Sequence, residues 1–220
     1  PFAQFFYLPS WFLYSISLIK GSFSLYDYLI YTIFGISIYL VGQYKWLKSF
    51  NYFSKKNIIL ITLLVPTILI FSNFLRFPNA IHTICWLPYL LLGINYSAGN
   101  KNIFKSSLLI FFSTLFIFTA GYPYFIIYIF VFVCFYVLFI LFAKDLNFKR
   151  IINFILKIFF PSFISLLISL PWFYGVSKTL QLAQDRNLYD FDYATAHSFN
   201  FLDVLGSWFY PIISNTEGRY

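Results

Sequence analysis

Acidic side chains are scarce in this chain. Asp and Glu together number 7 in 220 residues, against 15 Lys and Arg. All charged residues make up 10% of the sequence, where a soluble domain carries about 25%. A chain so poor in charge lacks the polar surface that an ordinary water-soluble domain needs. Cysteine is almost absent too: Cys85 and Cys134 each stand inside an apolar run, which excludes a disulfide framework. There are 2 histidines and no His/Cys set with metal-ligand spacing. No catalytic triad, phosphate-cradling glycine loop or internal repeat is present. Methionine is missing altogether, and the chain opens on Pro1 and ends at Tyr220 within polar sequence. It reads as an internal fragment, in which a signal peptide is not to be sought.

What fills the sequence is apolar and aromatic: 60% of residues are hydrophobic and 25% are Phe, Trp or Tyr. Mean hydropathy is +0.77. An integral membrane protein follows. A spanning helix takes about 20 mostly apolar residues, and six runs qualify: 26–44, 57–72, 81–96, 104–120, 122–143 and 159–176. Pro66, Pro88, Pro161 and Pro171 fall within them and are expected to kink or bound helices. The runs are continuous rather than alternating, which favours helices over a membrane barrel. A seventh apolar stretch, 5–19, is short and divided by Pro9. It is expected to lie in the interface, or to re-enter, with Trp11 at headgroup depth. The expected fold is therefore all-α: a polytopic transmembrane bundle of six to seven spanning helices over residues 1–176, followed by a water-side segment, 177–220.

Charge orients the bundle. The segments between runs fall into two alternating sets. One holds ten basic residues, Lys45, Lys48, Lys55, Lys56, Lys101, Lys105, Lys144, Lys149, Arg150 and Lys157, with a single acid, Asp145. The other holds Lys20, Arg76, Lys178, Arg186 and Arg219 together with the six remaining acids. The positive-inside rule puts the first set in the cytoplasm. The turn at Gly121 and everything after about Ser177 are then extracytoplasmic. The net charge of +8 is explained by these loops, and nucleic acid is not an expected partner.

Three groups of residues carry possible chemistry. Arg76, Asn79 and His82 cluster where an outer loop enters a helix. An interfacial Arg beside a capped helix start accounts for them, and so does a cationic patch that binds a lipid phosphate. Asp185, Arg186, Asn187, Asp190, Asp192 and His197 gather in the water-side segment. Solvated Asp–Arg pairs explain that group, while carboxylates and an imidazole also suit acid–base work. A divalent metal takes oxygen ligands, and Asp190 with Asp192 can supply some. Tyr122 and Tyr124 flank Pro123 in a tight turn, where an aromatic face suits a sugar ring. Asp27 opens the first good run and is read as a helix N-terminal carboxylate.

The stretches FYLPSWFLY, ICWLPYLLLGI, TAGYPYFIIYIF, SLPWFYGVSKTLQLAQDRN and YDFDYATAHSFNFLDVLGSWFYPII follow one another in an order that resembles the YfhO-like bacterial membrane proteins. These belong to the GT-C class of polytopic glycosyltransferases. Asp185-Arg186-Asn187, Tyr193-Ala194, Ser198, Asp203 to Leu205 and Pro211 match the family order. Tyr122 and Tyr124 stand where the family often has His and Gln, and Asn200 stands where it has Pro. The resemblance implies sugar transfer from a polyprenyl-phosphate-linked donor to a cell-envelope glycan, lipid or protein, at the outer face of a bacterial inner membrane. It implies that Arg76, Arg186 and His82 bind donor phosphate. Asp185, Asn187, Asp190, Asp192, His197, Tyr122 and Tyr124 would then line the substrate cleft. The family's catalytic carboxylate is expected upstream of Pro1. No Rossmann-like segment and hence no nucleotide-sugar site is present. The alternatives are a transporter or flippase of a lipid-linked or polar solute, which needs ionisable residues within its spans, and a non-catalytic envelope membrane protein.

Overall fold

The computed structural model describes residues 6–22, 24–70, 78–99, 102–121, 123–143 and 148–182. Its regular elements are eight helices: α1 (Leu8–Lys20), α2 (Leu25–Lys48), α3 (Lys55–Ile70), α4 (Pro78–Ile84), α5 (Leu87–Ala98), α6 (Ile103–Thr119), α7 (Pro123–Ala143) and α8 (Phe148–Leu182). No strand occurs among the described residues. The chain divides into two compact units, Pro1–Gly175 and Val176–Tyr220; of the second, only the last turns of α8 are described.

Local chemistry sets the helix ends. Pro9 sits in the first turn of α1, where its missing N–H has no helical partner to lose, so it starts the helix instead of dividing it. Gly21 closes α1 at φ 74° and donates its N–H to the Ser17 carbonyl. Three residues later Ser24 and Asp27 form a reciprocal capping box that opens α2. Lys45 and Lys48 occupy the last turn of α2, opposite in sign to Asp27 in the first, so both ends complement the helix dipole. Asn102 caps α6 by accepting from the Lys105 N–H.

Two expected runs are cut differently. The run at 81–96 is two helices, α4 and α5, joined by a turn at Cys85 and Trp86. Pro88, in the first turn of α5, has no N–H for the carbonyl of Ile84, so the helix cannot run through. The run at 159–176 belongs to one continuous helix that starts at Phe148 and passes both Pro161 and Pro171. One turn after Pro161, the Ser165 hydroxyl lies 2.9 Å from the Pro161 carbonyl and 2.7 Å from the Phe111 carbonyl on α6.

Among the described residues three helices are long and apolar enough to cross a membrane: Leu25–Lys48, Phe125–Ala143 and Phe148–Lys178. Their outward faces are consistent with lipid. On α8 the buried residues Phe154, Pro161, Ser165, Ser169 and Trp172 recur at helical spacing and form one stripe, while Phe159, Phe160, Phe163, Leu167 and Leu170 stay exposed. So much uncovered apolar surface is untenable in water.

Small residues bring the helices together, as lipid-embedded packing requires. A Cβ on Gly42 would lie 2.5 Å from the Tyr89 ring, which places α2 hard against α5. One on Gly93 would lie 2.8 Å from Ile110 Cγ1 and 3.2 Å from its backbone nitrogen, so α5 and α6 touch almost backbone to backbone. That contact also carries polar stitching: Ser106 donates to the Gly93 carbonyl at 2.8 Å and pairs with Ser97 at 2.6 Å. Around it Leu90, Ile94, Ile110, Ile117, Ile129, Ile140 and Phe154 form the main core.

Candidate functional site

Of the residues that the resemblance assigns to phosphate binding or the substrate cleft, His82 is the one whose side chain is described. Arg76, Tyr122, Asp185, Arg186, Asn187, Asp190, Asp192 and His197 lie outside the described residues. Tyr124 lies in the first turn of α7, and its side chain is outside the description.

His82 stands on α4 and is completely buried. Its Nε2 is 2.9 Å from the Tyr31 carbonyl of α2. A carbonyl only accepts, so Nε2 carries the proton. Nδ1 of the neutral ring is then an acceptor, and the Tyr7 hydroxyl donates to it at 2.9 Å. The same hydroxyl accepts from Trp86 Nε1 at 2.9 Å. Tyr31 stacks on the imidazole with ring centroids 3.7 Å apart, and Phe116 of α6 meets both Tyr7 and Trp86 edge-on or tilted. Cys85 Sγ donates to the His82 carbonyl at 3.3 Å.

This knot joins the start of α1, the first third of α2, α4 and the α4–α5 turn. Both His82 nitrogens are occupied within the protein, so in this arrangement neither faces a phosphate oxygen. The chemistry left to His82 is positional. It fixes the entry of α4, whose first residue follows Arg76 by two positions. Tyr7, Tyr31 and Trp86 were not singled out from sequence. Tyr7 and His82 are 75 residues apart, and nothing local marks either as the other's partner. The pairing of an aromatic cap before Pro9 with a Trp before Pro88 was the available signal.

Asp27 lies one turn from Tyr31 on α2. Its Oδ2 accepts from the Ser24 N–H at 2.9 Å and from the Ser24 hydroxyl at 2.7 Å. Its Oδ1 meets Lys20 Nζ at 2.6 Å. Both oxygens are thereby committed to the α1–α2 junction. Among the described residues no group of three His, Cys, Asp or Glu side chains gathers for a metal ion.

No family model, curated protein or solved structure matches this chain.

Proposed function

We propose that this membrane protein is part of a GT-C-type glycosyltransferase that moves a sugar from a polyprenyl-phosphate-linked donor to a cell-envelope acceptor. The observation that carries this reading is the order of five aromatic and polar stretches, from FYLPSWFLY to YDFDYATAHSFNFLDVLGSWFYPII, along a chain of apolar helices. Arg186 and Arg76 are the residues assigned to donor phosphate, because a planar guanidinium can match two phosphate oxygens and offset charge as the leaving group departs. Asp185, Asn187, Asp190 and Asp192 are assigned to the cleft wall beside Arg186. His82 serves as a positioning residue that holds the helix after Arg76.

Asp27 and His82, the buried acid and imidazole among the described residues, are each bonded within the protein. This favours a transferase over a transporter, which moves solutes past ionisable groups in its spans.

The test is transfer of radiolabelled sugar from a polyprenyl-phosphate donor in membranes that carry the intact gene product. Arg186→Ala is expected to abolish transfer with the protein still present in the membrane. Unchanged turnover removes Arg186 from the site. A wild-type protein that transfers nothing, while donor and acceptor serve a known transferase, overturns the reading. Single cysteines between residues 185 and 200 test the orientation: labelling from the cytoplasmic side alone reverses it.

A further inference from the structure

At the end of α2 opposite Asp27, the last turn of α2, one face of α5 and the start of α6 line a pocket of about 590 Å³. Lys45 and Lys48 enter it from α2 and Lys105 from α6, with Asn102, Tyr89 and Tyr96 between them. Among the described residues no carboxylate lines it. The ion pair found among the described residues, Lys20–Asp27, lies at the other end of α2. Three like charges around one cavity repel each other, and an anion between them removes that repulsion.

The lysines are braced. Lys45 Nζ sits 5.9 Å from the centre of the Tyr89 ring and Lys105 Nζ 5.6 Å from that of Tyr96. Behind Ser49, a third lining residue of the α2 end, runs a chain of hydrogen bonds: Asn95 Nδ2 donates to Ser49 Oγ at 3.1 Å, Tyr136 donates to Asn95 Oδ1 at 2.6 Å, and Trp46 Nε1 donates to the Tyr136 hydroxyl at 3.0 Å. Three helices, α2, α5 and α7, are locked together directly beneath the cationic wall. The α6 N-terminus, with Asn102 at its cap, adds the positive end of a helix dipole to the same cavity.

We propose that this pocket binds the phosphate of an anionic phospholipid. The apolar surroundings select lipid over a free anion. Leu92 and Leu109 form part of the wall. Beside Lys105 and Leu109 on α6, Phe104, Leu108 and Phe112 recur every fourth residue and are exposed. That stripe leads from the pocket along the helix, as a track for an acyl chain leads from its headgroup. Basic pockets between membrane helices bind anionic headgroups by this combination. The inference holds whether or not the protein transfers sugar.

Native mass spectrometry of the purified intact protein tests it, with phosphatidylglycerol and phosphatidylcholine supplied in equal amounts. Wild type is expected to retain phosphatidylglycerol preferentially. Lys45→Gln with Lys105→Gln is expected to lower that retention tenfold or more, at roughly fivefold per lost charge. Lys45→Arg with Lys105→Arg should keep it, which separates lost charge from lost fold. Lys55→Gln with Lys56→Gln removes the same charge from exposed residues outside the pocket and should leave retention intact. Equal loss in both Gln pairs overturns the proposal, because bulk charge then explains the binding. Displacement of the lipid by millimolar inorganic phosphate, or no preference in wild type, overturns it as well.

Discussion

The two ends of α2 hold polar groups in opposite ways. Near its start, His82, Tyr7 and Trp86 are buried or half-buried and bonded to one another and to the Tyr31 carbonyl. At its finish, Lys45 and Lys48, with Lys105 across from them, stand around an open pocket that no acid lines among the described residues. In a low-dielectric interior a bonded polar cluster fixes helix positions, because every member would be costly to leave unpaired. A cluster of unneutralised charge instead adds repulsion, and is retained where something else supplies the counter-charge. One end of the helix looks like a fastening and the other like a receptor.

Substitutions can break that contrast, and the largest effect is expected between the two ends. Gly93→Leu drives a side chain into the Ile110 backbone and should cost about 3 kcal/mol, separating α5 from α6; a fall in detergent unfolding midpoint measures it. His82→Ala strands the Tyr7 hydroxyl and removes the Tyr31 partner. It should cost about 2 kcal/mol while lipid retention stays unchanged. Tyr136→Phe leaves Trp46 Nε1 and Asn95 Oδ1 without their shared partner, for about 1 kcal/mol, and should also loosen the pocket enough to weaken phosphatidylglycerol retention. The smallest effect on stability belongs to Lys105→Gln, within about 0.5 kcal/mol, although it should lower lipid retention severalfold. If His82→Ala released lipid as readily as Lys105→Gln did, the two ends would be one coupled system.

How far the helices can be read from sequence depends on what punctuates them. Residues 122–143 form an unbroken apolar run, and α7 occupies Pro123–Ala143. The run at 26–44 stops short of the final turn of α2 because Lys45 and Lys48 are charged, yet those lysines are stabilised there by the helix dipole. Charge also hid the first eleven residues of α8, where Lys149, Arg150 and Lys157 interrupt the hydropathy. Prolines cut both ways: Pro88 ends one helix and starts another, whereas Pro161 and Pro171 pass inside α8. The membrane character of the chain was legible in its composition. The arrangement around His82 was not, since it depends on bonds between residues 51 to 79 positions apart. The lysines of the pocket were visible only as markers of orientation. Their convergence needs the α2–α5 and α5–α6 contacts that Gly42 and Gly93 permit.

The placement of the two cysteines has a practical consequence. Cys85 is wholly enclosed beside His82, and Cys134 lies halfway along α7, exposed on a helix suited to lipid. Water-soluble maleimides attack a thiolate in contact with water, and neither sulfur has that contact in the folded protein within a bilayer. Residues 1–220 thus already form a silent background for site-directed thiol labelling. Within them, a single cysteine placed near Asp190 or in the lysine pocket would report without replacement of either native residue.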